Sequence, residues 1–312
     1  MLVALGLAIV YVVWGSTYLA IRVMVETVPP LLGAGLRFLL AGLLFLGWLL
    51  LRRGVAGLAI DRRGLASSAL TGGLLMLGGN GLVTVAEQKV PSGLAALIIA
   101  SVPLWVVIFR LIASERVGRV TLAGVGAGFV GVAVLALPGG SGSAPIWGTL
   151  TLVAAAFFWA AGSFLSTRLP LPEDPLLTTT AQTLIGGAIA TVAGLLAGES
   201  GELHLGAISF RSASGFVYLV FAGSLLAFTA YVWLLKNAPI STVATYAYVN
   251  PVVAVLLGWA VLSEDLTPSI LVGSAIVVAS VAFVIRRESR EQIELAESAP
   301  VTVAVDPEAA CP

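Results

Sequence analysis

Apolar residues run along this chain in blocks of about twenty, separated by short polar punctuation, and the pattern repeats ten times. The blocks fall at about 2–24, 31–51, 65–86, 91–110, 121–137, 147–167, 176–197, 213–236, 240–262 and 269–286. A hydrocarbon core about 30 Å thick needs about twenty helical residues to cross it, so each block predicts a transmembrane helix. The punctuation includes "RRGVAGLAIDRRG" (52–64), "ASERVGR" (113–119), "LPGGSGSAP" (137–145) and "RLPLPEDP" (168–175). Beyond Arg290 the chain becomes acidic and then rich in Pro and Ala, which predicts a disordered tail over 289–312.

Composition agrees with a lipid solvent. Of 312 residues 59% are hydrophobic and 10% charged, with mean hydropathy +1.05, against about 25% charged in soluble domains. A formal net charge of zero argues against a nucleic-acid partner. The lone cysteine, Cys311, excludes disulfides and cysteine-based metal sites. No Lys or Arg precedes Arg22, so the first block lacks the basic start of a cleaved signal and reads as a retained span. The cations set the orientation. With the N-terminus in the cytoplasm, Arg52, Arg53, Arg62, Arg63, Arg110, Arg116, Arg119, Arg168, Lys236, Arg286, Arg287 and Arg290 lie inside. Only Arg22, Lys89 and Arg211 lie outside, a ratio of twelve to three that predicts two cytoplasmic termini.

The blocks repeat as a set. "PSGLAALIIASVP" (91–103) and "PISTVATYAYVNP" (239–251) each hold two prolines twelve residues apart, and "SER" (114–116) and "SED" (263–265) follow them. "PLLGAGLRFLLAG" (30–42) aligns with "PLLTTTAQTLIGG" (175–187), "STYLAIR" (16–22) with "GSFLSTR" (162–168), and "TLAG" (121–124) with "ILVG" (270–273). The offset stays between about 145 and 149. Five spans per copy is an odd number, so the second copy enters the bilayer from the opposite side. Inverted repeats of this kind build secondary transporters with a site near the midplane. The fold class predicted is therefore an all-α polytopic membrane protein, ten transmembrane helices in two inverted five-helix repeats, 1–146 and 147–288. "WGSTYLAIR" (14–22), "LRF" (36–38), Pro103, Pro251 and the five-plus-five layout resemble the EamA branch of the drug/metabolite transporter superfamily. The resemblance covers about residues 5–286 and implies ten helices in inverted repeats, cytoplasmic termini, and export or exchange of small metabolites, often amino acids.

Residues inside the spans supply the candidate chemistry. Pro103 and Pro251 lie near mid-membrane and each removes a backbone donor, which marks them as hinges beside a transport path, with packing kinks as the alternative. Thr242, Tyr246 and Asn250 share one face of span nine by i, i+4, i+8 spacing. Trp14, Thr17 and Tyr18 in span one, Asn80 in span three, Trp159 and Ser163 in span six and Tyr231 in span eight complete a set of cavity candidates. Core packing is the alternative for each aromatic. Trp48, Trp105, Trp147 and Tyr218 read as interface anchors. Gly124 and Gly128, spaced GxxxG, predict close helix packing, with a homodimer through span five as an option.

Arg37 is the single charge inside the second span, between Gly33 and Ala41, and its repeat mate Gln182 lies between Thr178 and Gly186. Both read as polar clamps between helices, with substrate contact as the alternative for Arg37. The spans contain no Asp, Glu or His, and Glu87 is expected to cap the outer end of span three in solvent. That predicts movement down the substrate's gradient, or exchange, rather than obligatory proton antiport. An intramembrane enzyme would need catalytic or metal-ligating groups within the spans, and none is present; His204 sits in a loop. No cofactor or metal is expected. The function predicted is an inner-membrane secondary transporter, an exporter of amino acids or related metabolites by alternating access. The alternatives are a carrier of purines, drugs or sugar derivatives and, ranked lower, a channel. The small-molecule substrate and the lipid bilayer are the partners. With Cys311 changed to Ser, an impermeant thiol reagent on intact cells is expected to label a cysteine placed in 138–146 and to miss one in 52–63. The reverse labelling would overturn the orientation.

Overall fold

The computed structural model describes residues 1–136 and 144–298 and contains no strand among them. Ten helical spans form: α1 (Leu2–Met24), α2 (Pro30–Arg53), α3 (Arg62–Ala86), α4 (Ser92–Ile112), α5 (Arg119–Ala136), α6 (Ile146–Ser166), α7 (Pro175–Leu196), α8 (Phe210–Asn237), α9 (Ile240–Val243 with Tyr246–Leu262) and α10 (Pro268–Ser298). Nine are long and apolar enough to cross a bilayer, and the tenth, α9, contains a shorter apolar helix. Helix α10 runs ten residues past 288, so the start of the expected tail is helical, not disordered. Most of the "LPGGSGSAP" connector, and the tail from 299 with Cys311, lie outside the described residues.

Small residues decide which spans meet. Helix α2 packs along its repeat mate α7, and α5 along its mate α10. At Gly187 an added Cβ would stand 2.7 Å from the amide nitrogen of Leu39, and at Gly35 2.5 Å from that of Thr191. Only hydrogen at these positions lets two backbones approach so closely. Gly124 faces Phe283, and Gly128 faces Leu104 and Ser280. The GxxxG pair is therefore covered within one chain, and the dimer surface suggested for it is already occupied. Ion pairs add ties at the face that carries Met1, here the terminal face: Arg53 with Asp174, Arg110 with Glu115 and Glu288, and Arg168 with Glu115.

Five spans are irregular. Wide π-helical turns occupy Val10–Trp14 in α1, Gly73–Gly81 in α3 and Leu219–Leu226 in α8. The last two lie in repeat-related spans. Helix α4 stops at Ile99 and restarts at Val102, with Pro103 in the first turn of its second half, as a residue without an N–H favours. Both halves pack on α5, α6 and α10, and Ser92–Ile99 packs closely on α9 and α1 as well. In α9 the break falls at Ala244–Thr245, before the proline, and the helix passes through Pro251. The break thus lies about two turns before Pro251, where the proline alone would have placed it.

Gly187→Leu is expected to destabilise the α2–α7 contact by about 1–3 kcal/mol, read as a lower thermal midpoint in detergent. Gly47→Ala, at a position with nothing within 4 Å, should leave it unchanged.

Candidate substrate path

Three of the predicted residues come together. Trp14 lies 5.1 Å from the Tyr231 ring and 5.2 Å from the Tyr246 ring, centroid to centroid, and Tyr231 and Tyr246 are 5.8 Å apart. Phe228 closes the group 6.3 Å from Trp14. Each helix that contributes is irregular nearby: Trp14 ends a π turn, Tyr246 follows the break in α9, and Tyr231 follows the π turn of α8. The Trp14 indole N–H donates to the Gly223 carbonyl at 3.1 Å, and the Thr17 hydroxyl donates to the Trp14 carbonyl at 2.6 Å. Tyr11 and Thr245 share a hydroxyl contact on the terminal side. Asn250 is 8% exposed and its Oδ1 has no partner among the described residues, so a buried acceptor is left open one turn beyond Tyr246.

The other candidates are distributed. Trp159 packs on Gly79 across the α3–α6 contact. Asn80 is held by its own helix, donating to the Leu75 carbonyl at 3.3 Å. Ser163 and Thr242 are half-buried on α6 and α9. Trp105 is not an interface anchor: it packs edge-on against Phe129 and Phe157 at 4.9 and 5.4 Å, with its indole nitrogen buried and unpartnered. Tyr218 shares a 2.6 Å hydrogen bond with Ser16.

Arg37 is 5% exposed, donates from Nε to the Ser224 hydroxyl at 3.1 Å and lies 4.7 Å over the Phe38 ring. Gln182 donates to the Thr71 hydroxyl at 2.8 Å and to the Ser166 hydroxyl at 3.3 Å. Arg37 thus joins α2 to α8 while Gln182 joins α7 to α3, two contacts exchanged by the repeat. Sequence spacing found the donors but not their acceptors, which are single hydroxyls among many.

Glu87 departs most from expectation. It sits immediately past α3, yet it is 0% exposed, and neither carboxyl oxygen has a hydrogen-bond partner among the described residues. Its main-chain carbonyl accepts from Arg22 Nη1. The far face beyond holds two hollows of about 360 Å³ that share Arg22 and Glu26. Among the described residues no group of three or more His, Cys, Asp or Glu gathers to hold a metal.

The EamA-like transporter family model matches residues 1–137 and 146–286, one copy for each set of five spans. The chain belongs to the EamA-like transporter family. It is 38% identical over 278 residues to the uncharacterized inner membrane transporter YedA of Escherichia coli (strain K12), covering 88% of this chain and 87% of that one. It is 27% identical over 298 residues to the probable amino-acid metabolite efflux pump of Salmonella typhimurium (strain LT2), covering 90% of this chain and 96% of that one. Protein PecM of Dickeya dadantii (strain 3937) is likewise 27% identical, over 297 residues, covering 90% and 94%. A solved crystal structure of 21% identity shares the fold, with a TM-score of 0.63 over 92% of this chain and 98% of that one. This EamA chain is accordingly a multi-pass membrane transporter.

Removing an acceptor from either clamp leaves a buried donor unmatched. Ser224→Ala and Thr71→Val are each expected to cost about 1–3 kcal/mol, measured as a drop in the thermal midpoint of the purified protein. Wild-type midpoints in both would show that the clamps hold nothing.

Proposed function

We propose that this chain is a secondary carrier that exports amino acids or related small metabolites across the inner membrane by alternating access, with both termini in the cytoplasm. The observation that carries this reading is the Trp14–Tyr231–Tyr246 cluster, placed where three interrupted helices meet. Backbone irregularity at membrane depth is tolerated where it is buried or lines a cavity, and transporter sites are built from such interruptions. Aromatic faces with hydroxyl and amide groups nearby suit a small solute that has an apolar body and a few polar atoms. The first half of α4 adds close packing on α1 and α9, towards the far face, to the α5, α6 and α10 contacts that both halves make. That asymmetry supports a path closed at the far face and reached from the cytoplasm, with the units 1–146 and 147–288 rocking about the cluster. The Salmonella relative's printed name points to amino-acid metabolites. Purines, drugs or sugar derivatives remain the second reading, because the cluster itself carries no charge to select a zwitterion.

Proteoliposomes preloaded with labelled amino acids, purines or sugars should release the transported class faster than protein-free vesicles and show counterflow when unlabelled solute is added outside. Trp14→Ala should lower that flux at least about tenfold, a loss of about 1.4 kcal/mol or more, while the protein still elutes as a folded species. Single-channel currents in place of counterflow would overturn the carrier reading.

A further inference from the structure

The buried Glu87 carboxyl is not used by the aromatic cluster or by the clamps, and its surroundings give it a different task. Five groups of elements bear on it. Helix α1 brings Arg22, whose guanidinium is committed to the Glu87 main-chain carbonyl, and Tyr18, which lies within electrostatic reach of both Glu87 and Tyr246. Helix α2 brings Arg37, committed at Nε to Ser224. The α9–α10 connector brings Glu264, whose carboxylate caps the first turn of α4 through the Ser92 and Gly93 amides at 2.7 and 3.0 Å and the Ser92 hydroxyl at 2.9 Å. Helix α6 and the first half of α4, which pack beside it, carry no titratable side chain. The carboxyl is therefore enclosed without a hydrogen-bond donor of its own, next to one acid and two cations that are already engaged.

We infer that Glu87 is a protonation site of the carrier: it is neutral while the far face is closed around it, and loses its proton when that face opens. The location supports both ends of this exchange. On one side Arg22, which donates to the Glu87 main-chain carbonyl, lines both far-face hollows with Glu26; Gln88 and Lys89 line one of them and Arg211 the other. On the other, Tyr18 lies within electrostatic reach of both Glu87 and the cluster residue Tyr246. Burying an ionised carboxylate without a partner is costly, so the closed arrangement selects the acid form. Burial, reinforced by Glu264, holds the Glu87 carboxyl well above the usual carboxylate range despite Arg22 and Arg37.

The sign follows. The pKa is higher closed than open, so protonation stabilises the closed far face fully at low pH, and this is lost as pH rises through the raised value. The proton leaves to water in the far-face hollows, and the carboxylate that remains is solvated there. A pH gradient then acts on the conformational equilibrium, which replaces the gradient-only movement expected from a solvated Glu87. This inference rests on the alternating carrier proposed above, but its test needs no substrate.

In a Cys311→Ser background, Ala95→Cys places a thiol in the first half of α4, where it is 0% exposed while that half stays packed. Its labelling by a water-soluble maleimide is followed in the purified full chain with Glu87 and with Glu87→Gln, whose neutral amide cannot ionise. Taking the ratio of the two proteins at each pH removes the thiol's own titration. The ratio should rise about tenfold between about pH 6 and about pH 8 as Glu87 ionises, and infrared difference spectra should show a protonated carboxyl band over the same range that Glu87→Gln lacks. A flat ratio, including no labelling of either protein, overturns the inference. A solute screen that finds no transported amino acid removes the substrate reading and leaves this result as it stands.

Discussion

Inside hydrocarbon a peptide group has no water to bond with, and the architecture follows from that constraint. Regular helix satisfies it span by span, so every interruption needs a local remedy. Carboxylates at the far face provide two. Glu199, at the end of α7, accepts from the Leu31 and Leu32 amides at 3.0 and 2.8 Å and so caps α2. Glu264, at the end of α9, does the same for α4. In both cases the acid that closes one helix belongs to its repeat mate, and its charge also suits the positive end of the helix it caps. Within the spans, hydroxyls return to carbonyls one turn back, as Thr71 does to Ser67 at 2.7 Å and Thr84 to Asn80 at 2.8 Å.

The same constraint accounts for how few charges the bundle holds. Arg37 is retained because a hydroxyl and an aromatic face receive it, while the corresponding place in the second copy holds neutral Gln182 with two hydroxyl acceptors. A clamp needs a donor and a short acceptor across a small-residue contact. Whether the donor is charged is secondary.

Much of this was legible in the sequence because hydrophobic length, cation placement and paired prolines are properties of segments. Span count, repeat and fold class rest on them. Site chemistry is a property of meetings between segments, and it was legible only in part. Tyr246 stands out by polar spacing on a helix face, Trp14 and Tyr231 as aromatics with a polar atom inside spans, and the three do meet. Trp105 was misread because an aromatic at an interface and one in an aromatic core have the same sequence surroundings; Phe129 and Phe157 decide it. Glu87 was misread because position at the end of a span suggests water, whereas here α3 ends short of the surface and neighbouring helices cover it. The π turns left a trace only in the glycines of "GGLLMLGGNG".

The two copies are alike in backbone and unlike in chemistry, and that difference carries functional meaning. An inverted pair of identical units would make the two tilted arrangements equal in energy, with nothing to set a preferred state. Here the aromatic cluster comes entirely from α1, α8 and α9; of the corresponding helices, α3 has no aromatic residue, and α6 and α4 use theirs against glycine and against other rings. Glu87 lies buried at the far end of α3, whereas the offset of about 145–149 places its counterpart near the exposed Leu235 and Lys236 of α8. The acid buried at one end has no acidic counterpart at the other. Symmetry supplies two comparable states, and these unmatched residues supply the bias between them.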